Sequence, residues 1–121
     1  MKAMILAYET PAEFAKRRAE KPVFEAYMGE WFAYSRALTD AGVNNGGAPL
    51  LGPKTATIVA IRGGKRSVED GPFTDSKEQL GGYFIVEVAS LDDAARWGAK
   101  CPAARTGRVE VRAIPDYGQG V

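Results

Sequence analysis

Histidine is absent from the 121 residues, and cysteine occurs once, at Cys101. Without imidazole the chain holds no Ser-His or Cys-His nucleophile pair and no histidine metal ligand. A single thiol rules out an intrachain disulfide and a cysteine-rich zinc site. Charge of one sign is lacking too. Sixteen Lys and Arg face fifteen Asp and Glu, a net of +1, whereas a nucleic-acid or anionic-membrane binder would concentrate positive charge. No apolar run approaches the ~18 residues of a spanning helix, and the opening residues do not read as a signal peptide. With 45% apolar and 26% charged residues, the composition is that of one folded α+β domain over 1–121, expected in the cytoplasm.

The chain opens with a strand, Lys2 to Tyr8, apolar on both faces: Met4, Leu6 and Tyr8 on one, Ala3, Ile5 and Ala7 on the other. Thr10, Pro11 and Glu13 have the spacing of a helix cap, predicting a short polar helix through Ala19. It contains the basic cluster Lys16-Arg17-Arg18, to which no role beyond solvating a helix is assigned. From Pro22 a second helical pattern sets Phe24, Tyr27, Met28, Trp31, Phe32, Ser35 and Leu38 on one broad stripe, ending at Gly42. Asn44 to Lys54 reads as a Gly- and Pro-rich loop. Thr55 to Ile61 reads as a strand, with a tight Gly63-Gly64 turn into a short return, Arg66 to Val68. A loop over Glu69 to Gln79 leads to a strand, Gly82 to Val88. Ser90 caps a helix ended by Pro102, and Arg108 to Ile114 alternates as a last strand.

Strand, helix, strand with its return, strand, helix, strand is the split βαβ, ferredoxin-like order. It predicts an α+β fold with two helices on one face of a four-stranded antiparallel sheet. The first strand and Gly82–Val88 are then central, and the last strand is an edge. Two helices cover only one face, yet both inner strands are apolar on both sides. A wet antiparallel face alternates between apolar and polar, so a second layer is required. A second copy of the chain supplies it, sheet against sheet, as an isologous dimer enclosing a cavity.

Asp70-Gly71-Pro72-Phe73, with Asp75-Ser76-Lys77-Glu78-Gln79-Leu80-Gly81-Gly82-Tyr83, resembles the DGPF branch of the YCII-related (YciI-like) family. The resemblance extends to the opening Met-Lys-x-Met-Ile-Leu strand, Ala41-Gly42-Val43, Ala94-Ala95 through Cys101-Pro102, and Val109-Glu110-Val111-Arg112. It implies a ferredoxin-like dimeric α+β barrel in a bacterial cytoplasmic protein. It also implies an association with extracytoplasmic-function sigma factors. The histidine–aspartate pair of the founding branch has no counterpart in a chain without histidine. Positions carried over are Asp70, Gly71, Pro72, Phe73, Lys77, Glu78, Gly81, Gly82 and Arg112.

Each candidate has a plain structural alternative. Asp70 heads a turn shaped by Gly71 and Pro72, either bracing it as an Asx turn or entering the cavity as a general base. Phe73 reads as a plug anchoring that loop. Lys77 is a solvated cation or an anion anchor, and Glu78, pointing oppositely, is structural. Gly81-Gly82 permits close backbone approach or a bulge. Arg112 shares a face with Glu110; it is either half of an exposed charge ladder or a cavity cation able to grip a carboxylate or phosphate. Tyr8 and Tyr83, read as lying at opposite ends of the inner strands, are core residues or cavity lining. Gly47 to Thr55 fails as a phosphate loop because Pro53 intervenes and a strand follows. Glu69, Asp70 and Asp75 match no hard-metal loop, so neither metal nor cofactor is expected. Cys101 reads as buried and inert.

Two functional readings follow. The first is a homodimer binding a small anionic molecule between its sheets. Asp70 then transfers a proton in isomerase- or lyase-type chemistry, with Lys77 or Arg112 as anchor. The second is a non-catalytic module working with a sigma factor, in which Asp70 only braces its loop.

Overall fold

Burial alternates along the whole first strand, β1 (Lys2–Glu9): Ala3, Ile5, Ala7 and Glu9 are buried, while Met4, Leu6 and Tyr8 are half-buried. The computed structural model describes residues 1–118. After β1 come α1 (Pro11–Ala15), a 3-10 turn (Lys16–Arg18), α2 (Lys21–Asp40), β2 (Asn44–Pro49), β3 (Thr57–Arg62), β4 (Lys65–Asp70), β5 (Gln79–Glu87), α3 (Leu91–Ala99), α4 (Ala103–Thr106) and β6 (Arg108–Ile114). The four-stranded sheet has the order β2-β5-β1-β6, antiparallel throughout, and β3 pairs only with β4. This is the ferredoxin-like α+β arrangement, with β1 and β5 central and β6 at an edge.

The second strand of that sheet is not the one the sequence predicts. Asn44–Pro49 (Asn-Asn-Gly-Gly-Ala-Pro), expected as loop, is strand β2 beside β5. The expected strand over Thr55–Ile61 leaves the sheet as one side of an arm whose return, Lys65–Asp70, is longer than Arg66–Val68. Gly47 makes the exchange possible. It has φ 144°, and a β-carbon there would sit 2.9 Å from Phe84 Cα. Only glycine lets the edge lie so close. The expected Gly63-Gly64 turn is present, with φ of 57° and 77°, the double positive φ of a type I′ hairpin.

On the covered face Ala3, Ile5, Ala7 and Val86 pack with Tyr34, Leu38, Ala94, Cys101 and Ala103. From α2, Tyr27, Tyr34 and Leu38 turn inward. Trp31 stacks on Phe84 at 6.2 Å, and Tyr34 meets the same ring edge-on at 5.1 Å. The inner stripe is narrower than expected. Phe32 follows Trp31 by about 100° of helical rotation and is 66% exposed, and Phe24 also faces outward. The first helix, expected through Ala19, is α-helical only to Ala15 and then tightens into the 3-10 turn. Ser90 Oγ caps α3, accepting from the Asp93 amide at 3.1 Å. Pro102 starts α4 rather than ending a helix.

Candidate functional site

No helix lies on the other face of the sheet among the described residues. Antiparallel register sets Met4 between Ile85 and Arg112, Leu6 between Tyr83 and Glu110, and Tyr8 between Leu80 and Arg108. The surface is therefore an apolar band of Met4, Leu6, Tyr83 and Ile85 that turns polar at β6. Tyr8 and Tyr83 do not lie at opposite ends: Tyr83 sits mid-strand in β5 opposite Leu6, two residues along β1 from Tyr8. At the polar edge the Tyr8 hydroxyl donates to Glu110 Oε1 at 3.2 Å, and Arg112 pairs with Glu110 Oε2 at 2.5 Å.

These groups tune one another. The Arg112 guanidinium, by hydrogen bond and charge, holds the Glu110 carboxyl below the ordinary carboxylate range, with the Tyr8 hydroxyl assisting. Partial burial and then the Glu110 carboxylate push the Tyr8 phenol up. The site holds a carboxylate, a guanidinium and a phenol beside an apolar floor. It can bind an anion through the remaining Arg112 donors and orient an aromatic or aliphatic body on the floor.

The structure thus brings Tyr8, Tyr83 and Arg112 to one surface, and adds Glu110. It does not bring Asp70 or Lys77 there within one chain. Asp70 ends β4 opposite Thr57, at the base of the arm, and is exposed. No side chain or backbone group bonds its carboxylate among the described residues, so the Asx brace is not formed. The loop is closed instead by the Gly71 amide donating to Ala56 O at 2.8 Å, with Gly71 at φ 98°. Pro72 is exposed. Phe73, expected as a plug, is 85% exposed and anchors nothing in a single chain. Lys77 is exposed, whereas its neighbour Glu78 is half-buried and pairs with Arg108 at 3.2 Å.

Sequence reading missed one cluster. Glu9, 1% exposed, accepts from the Tyr27 hydroxyl and pairs with Arg17 at 2.8 Å. Arg17 Nε donates to the Tyr27 oxygen at 3.2 Å. Burial, reinforced by the Glu9 carboxylate, pushes the Tyr27 phenol up to about 12. The signal was there: Glu9 continues the Ala3-Ile5-Ala7 parity, so a carboxylate falls on the core face and requires a cation. Arg17, one of the basic cluster, provides it.

The close approach at Gly81-Gly82 also has a named cause. A β-carbon at Gly81 would land on the Glu9 carboxylate, and one at Gly82 would lie 3.1 Å from Ala48 O of β2. Cys101 is fully buried, and burial raises its thiol to about 11. No helix is long and apolar enough to cross a membrane among the described residues. Two surface grooves lie on the helix side, one lined by Val43, Trp97 and Lys100, the other by Phe32, Arg36 and Asp40. Neither reaches the open sheet face.

Known proteins resemble this chain in sequence or in fold. A protein of Rhizobium meliloti (strain 1021), described as uncharacterised, is 34% identical over 98 residues, which cover 79% of each chain. Among solved structures, 5-chloro-2-hydroxyhydroquinone dehydrochlorinase from Burkholderia phenoliruptrix AC1100, in complex with 2,5-dihydroxybenzoquinone, superposes with a TM-score of 0.54. The superposition covers 95% of this chain and 94% of that one at 19% identity, a likeness of fold. The YCII-related domain model matches residues 1–117, and the chain belongs to the YCII-related family.

Proposed function

We propose that the chain acts as a homodimer, open sheet face against open sheet face, and binds a small anionic organic molecule in the gap. The observation that carries this is the band of Met4, Leu6, Tyr83 and Ile85, which has no helix over it, flanked by the Tyr8–Glu110–Arg112 group. A second copy covers the band, and the polar edge then faces an enclosed space instead of bulk water. The arm points the same way. Val59, Ile61 and Val68 share one of its faces and are 59%, 58% and 53% exposed, and a two-stranded ribbon is marginal without cover.

In this reading Arg112 anchors the anion, and Tyr8 and Tyr83 line the cavity. Asp70 and Lys77 belong to the site only when the arm and its following loop are held against the partner. Asp70 is the proton-transfer group of an isomerase- or lyase-type reaction. The fold neighbour holds a dihydroxylated quinone, a small oxygenated ring of the class proposed here. The DGPF-like block at Asp70–Phe73 ends the arm and begins its following loop, so in this reading it faces the gap only once the arm is held against the partner.

A thermal-shift panel of small carboxylates, phenolates and phosphates tests the proposal. A ligand at a hundredfold its Kd adds about 2.7 kcal/mol to stability. The expected result is a shift in the wild type that Arg112→Gln abolishes. A shift that survives in Arg112→Gln, or none across the panel, overturns it.

The second reading, a non-catalytic module acting with a sigma factor, is favoured by one observation: Asp70 and Phe73 are open to solvent on the arm and its loop. Under that reading Asp70→Asn leaves ligand shifts and any turnover unchanged, and a sigma factor is retained by the immobilised chain.

A further inference from the structure

We propose that Arg17 is a positioning residue that clamps both roots of the 50–80 segment and so sets where the arm, Asp70 and Lys77 stand relative to the sheet. Outside strand pairing, its only companions among the described residues are one main-chain bond at the roots, Leu50 to Gly81, and one exposed ion pair from Glu78 to Arg108 of β6. Every residue of β4 is exposed, and the main-chain bond that closes the arm's base, Gly71 to Ala56, lies within the segment itself. The segment leaves the sheet after β2 and returns at β5, and Arg17 binds it at both points. Its Nη1 donates to Leu50 O, and its Nη2 to Gly81 O at 3.1 Å. Between them the Leu50 amide donates to the same Gly81 carbonyl at 2.9 Å.

The guanidinium is itself immobilised. Glu9 takes Nη2 at 2.8 Å, the Tyr27 oxygen takes Nε at 3.2 Å, and Phe14 lies under the plane at 4.8 Å. Four donor contacts in a planar fork suit arginine and no other cation; lysine, with one nitrogen, cannot reach both carbonyls and both side chains. The buried carboxylate of β1 is thus connected through one side chain to the loop that carries the DGPF-like block. As far as it concerns Asp70 and Lys77, this rests on the proposed function; the clamp itself does not.

Amide hydrogen exchange is the test, on wild type, Arg17→Lys and an Ile5→Val control that loosens the core elsewhere. A hydrogen bond to a charged group is strong enough that its loss speeds local opening about tenfold to a hundredfold. The expected result is that acceleration at the Leu50 amide and at the start of β5, Gln79 to Gly82, in Arg17→Lys, with the centre of β1 and β6 unchanged. The Ile5→Val control should show no preference for the roots. If Arg17→Lys does not fold, Tyr27→Phe, which keeps the Glu9–Arg17 pair, is expected to give a several-fold acceleration at the same amides. Root amides at the wild-type rate, or rising in step with β1, overturn the clamp. Sedimentation run alongside separates the two proposals: a monomer with accelerated roots removes the dimer and keeps the clamp, whereas a dimer with unresponsive roots does the reverse.

Discussion

Gly81 passes so close to the Glu9 carboxylate that a β-carbon would clash with Oε2 and sit 3.1 Å from Arg17 Nη2. The glycine of the Leu-Gly-Gly-Tyr block therefore makes room for a buried ion pair whose carboxylate lies more than seventy positions away in sequence and whose guanidinium lies 64 away. Gly81→Ala is expected to cost about 3 kcal/mol, because the side chains a β-carbon would strike, buried Glu9 and half-buried Arg17, are bonded to each other and to Tyr27, and neither moves without breaking the pair. Urea unfolding measures it; a loss under about 1 kcal/mol would show that the carboxylate moves freely.

Glu9 and Arg17 should behave as one unit. Glu9→Ala leaves a guanidinium half-buried without its anion, and a cost of about 3–5 kcal/mol is expected. Glu9→Leu with Arg17→Met is expected to cost clearly less than the sum of the two single changes, since the apolar pair strands no charge. Additive losses in a double-mutant cycle would contradict the pairing.

Alkaline stability depends on Cys101 and Tyr27. Burial favours the neutral thiol, raising it from an ordinary 9.0 to about 11. The stabilisation is complete below the unfolded value and is lost as pH rises from about 9 through 11, because the unfolded chain ionises first. The loss is roughly 2–3 kcal/mol at full ionisation of the unfolded thiol, and Tyr27, raised to about 12, extends the decline. Cys101→Ala is expected to flatten the slope of stability against pH between 8 and 10. An unchanged slope would mean that the thiol contributes nothing.

On the open face the order of influences on Glu110 is also testable. Arg112 depresses its carboxyl more than Tyr8 does. By carbon-detected NMR titration, Arg112→Gln is expected to move Glu110 up towards the ordinary range, and Tyr8→Phe to move it less. The reverse ranking would place the carboxylate on the phenol instead.

Much of this architecture is legible in the residues. The alternation Arg108–Ile114 gives β6 to the residue, and Ser90 with Asp93 marks the start of α3. The uncovered band follows from Met4, Leu6 and Tyr8 occupying the parity opposite Ala3, Ile5 and Ala7. Strand β2 could not be read, because Asn-Asn-Gly-Gly-Ala-Pro has no strand propensity and forms only against β5. The strand read over Thr55–Ile61 overlaps β3, Thr57–Arg62, but periodicity carries no information about which sheet a strand joins, so its exclusion from the main sheet was invisible. Of the candidate site, Tyr8, Tyr83 and Arg112 converge because antiparallel register aligns them. Asp70 and Lys77 do not converge with them, since β4 pairs with β3 outside the four-stranded sheet and carries Asp70 and the loop beyond it away from that register.

Pairing through the open face is tested most directly by sedimentation equilibrium of the wild type beside Leu6→Arg at micromolar concentration. Leu6 stands between Tyr83 and Glu110 in the centre of the band. The wild type is expected at twice the chain mass of 13.0 kDa and Leu6→Arg, still folded, at the chain mass. A wild type that sediments as a stable single chain, or a Leu6→Arg that stays paired, would contradict it.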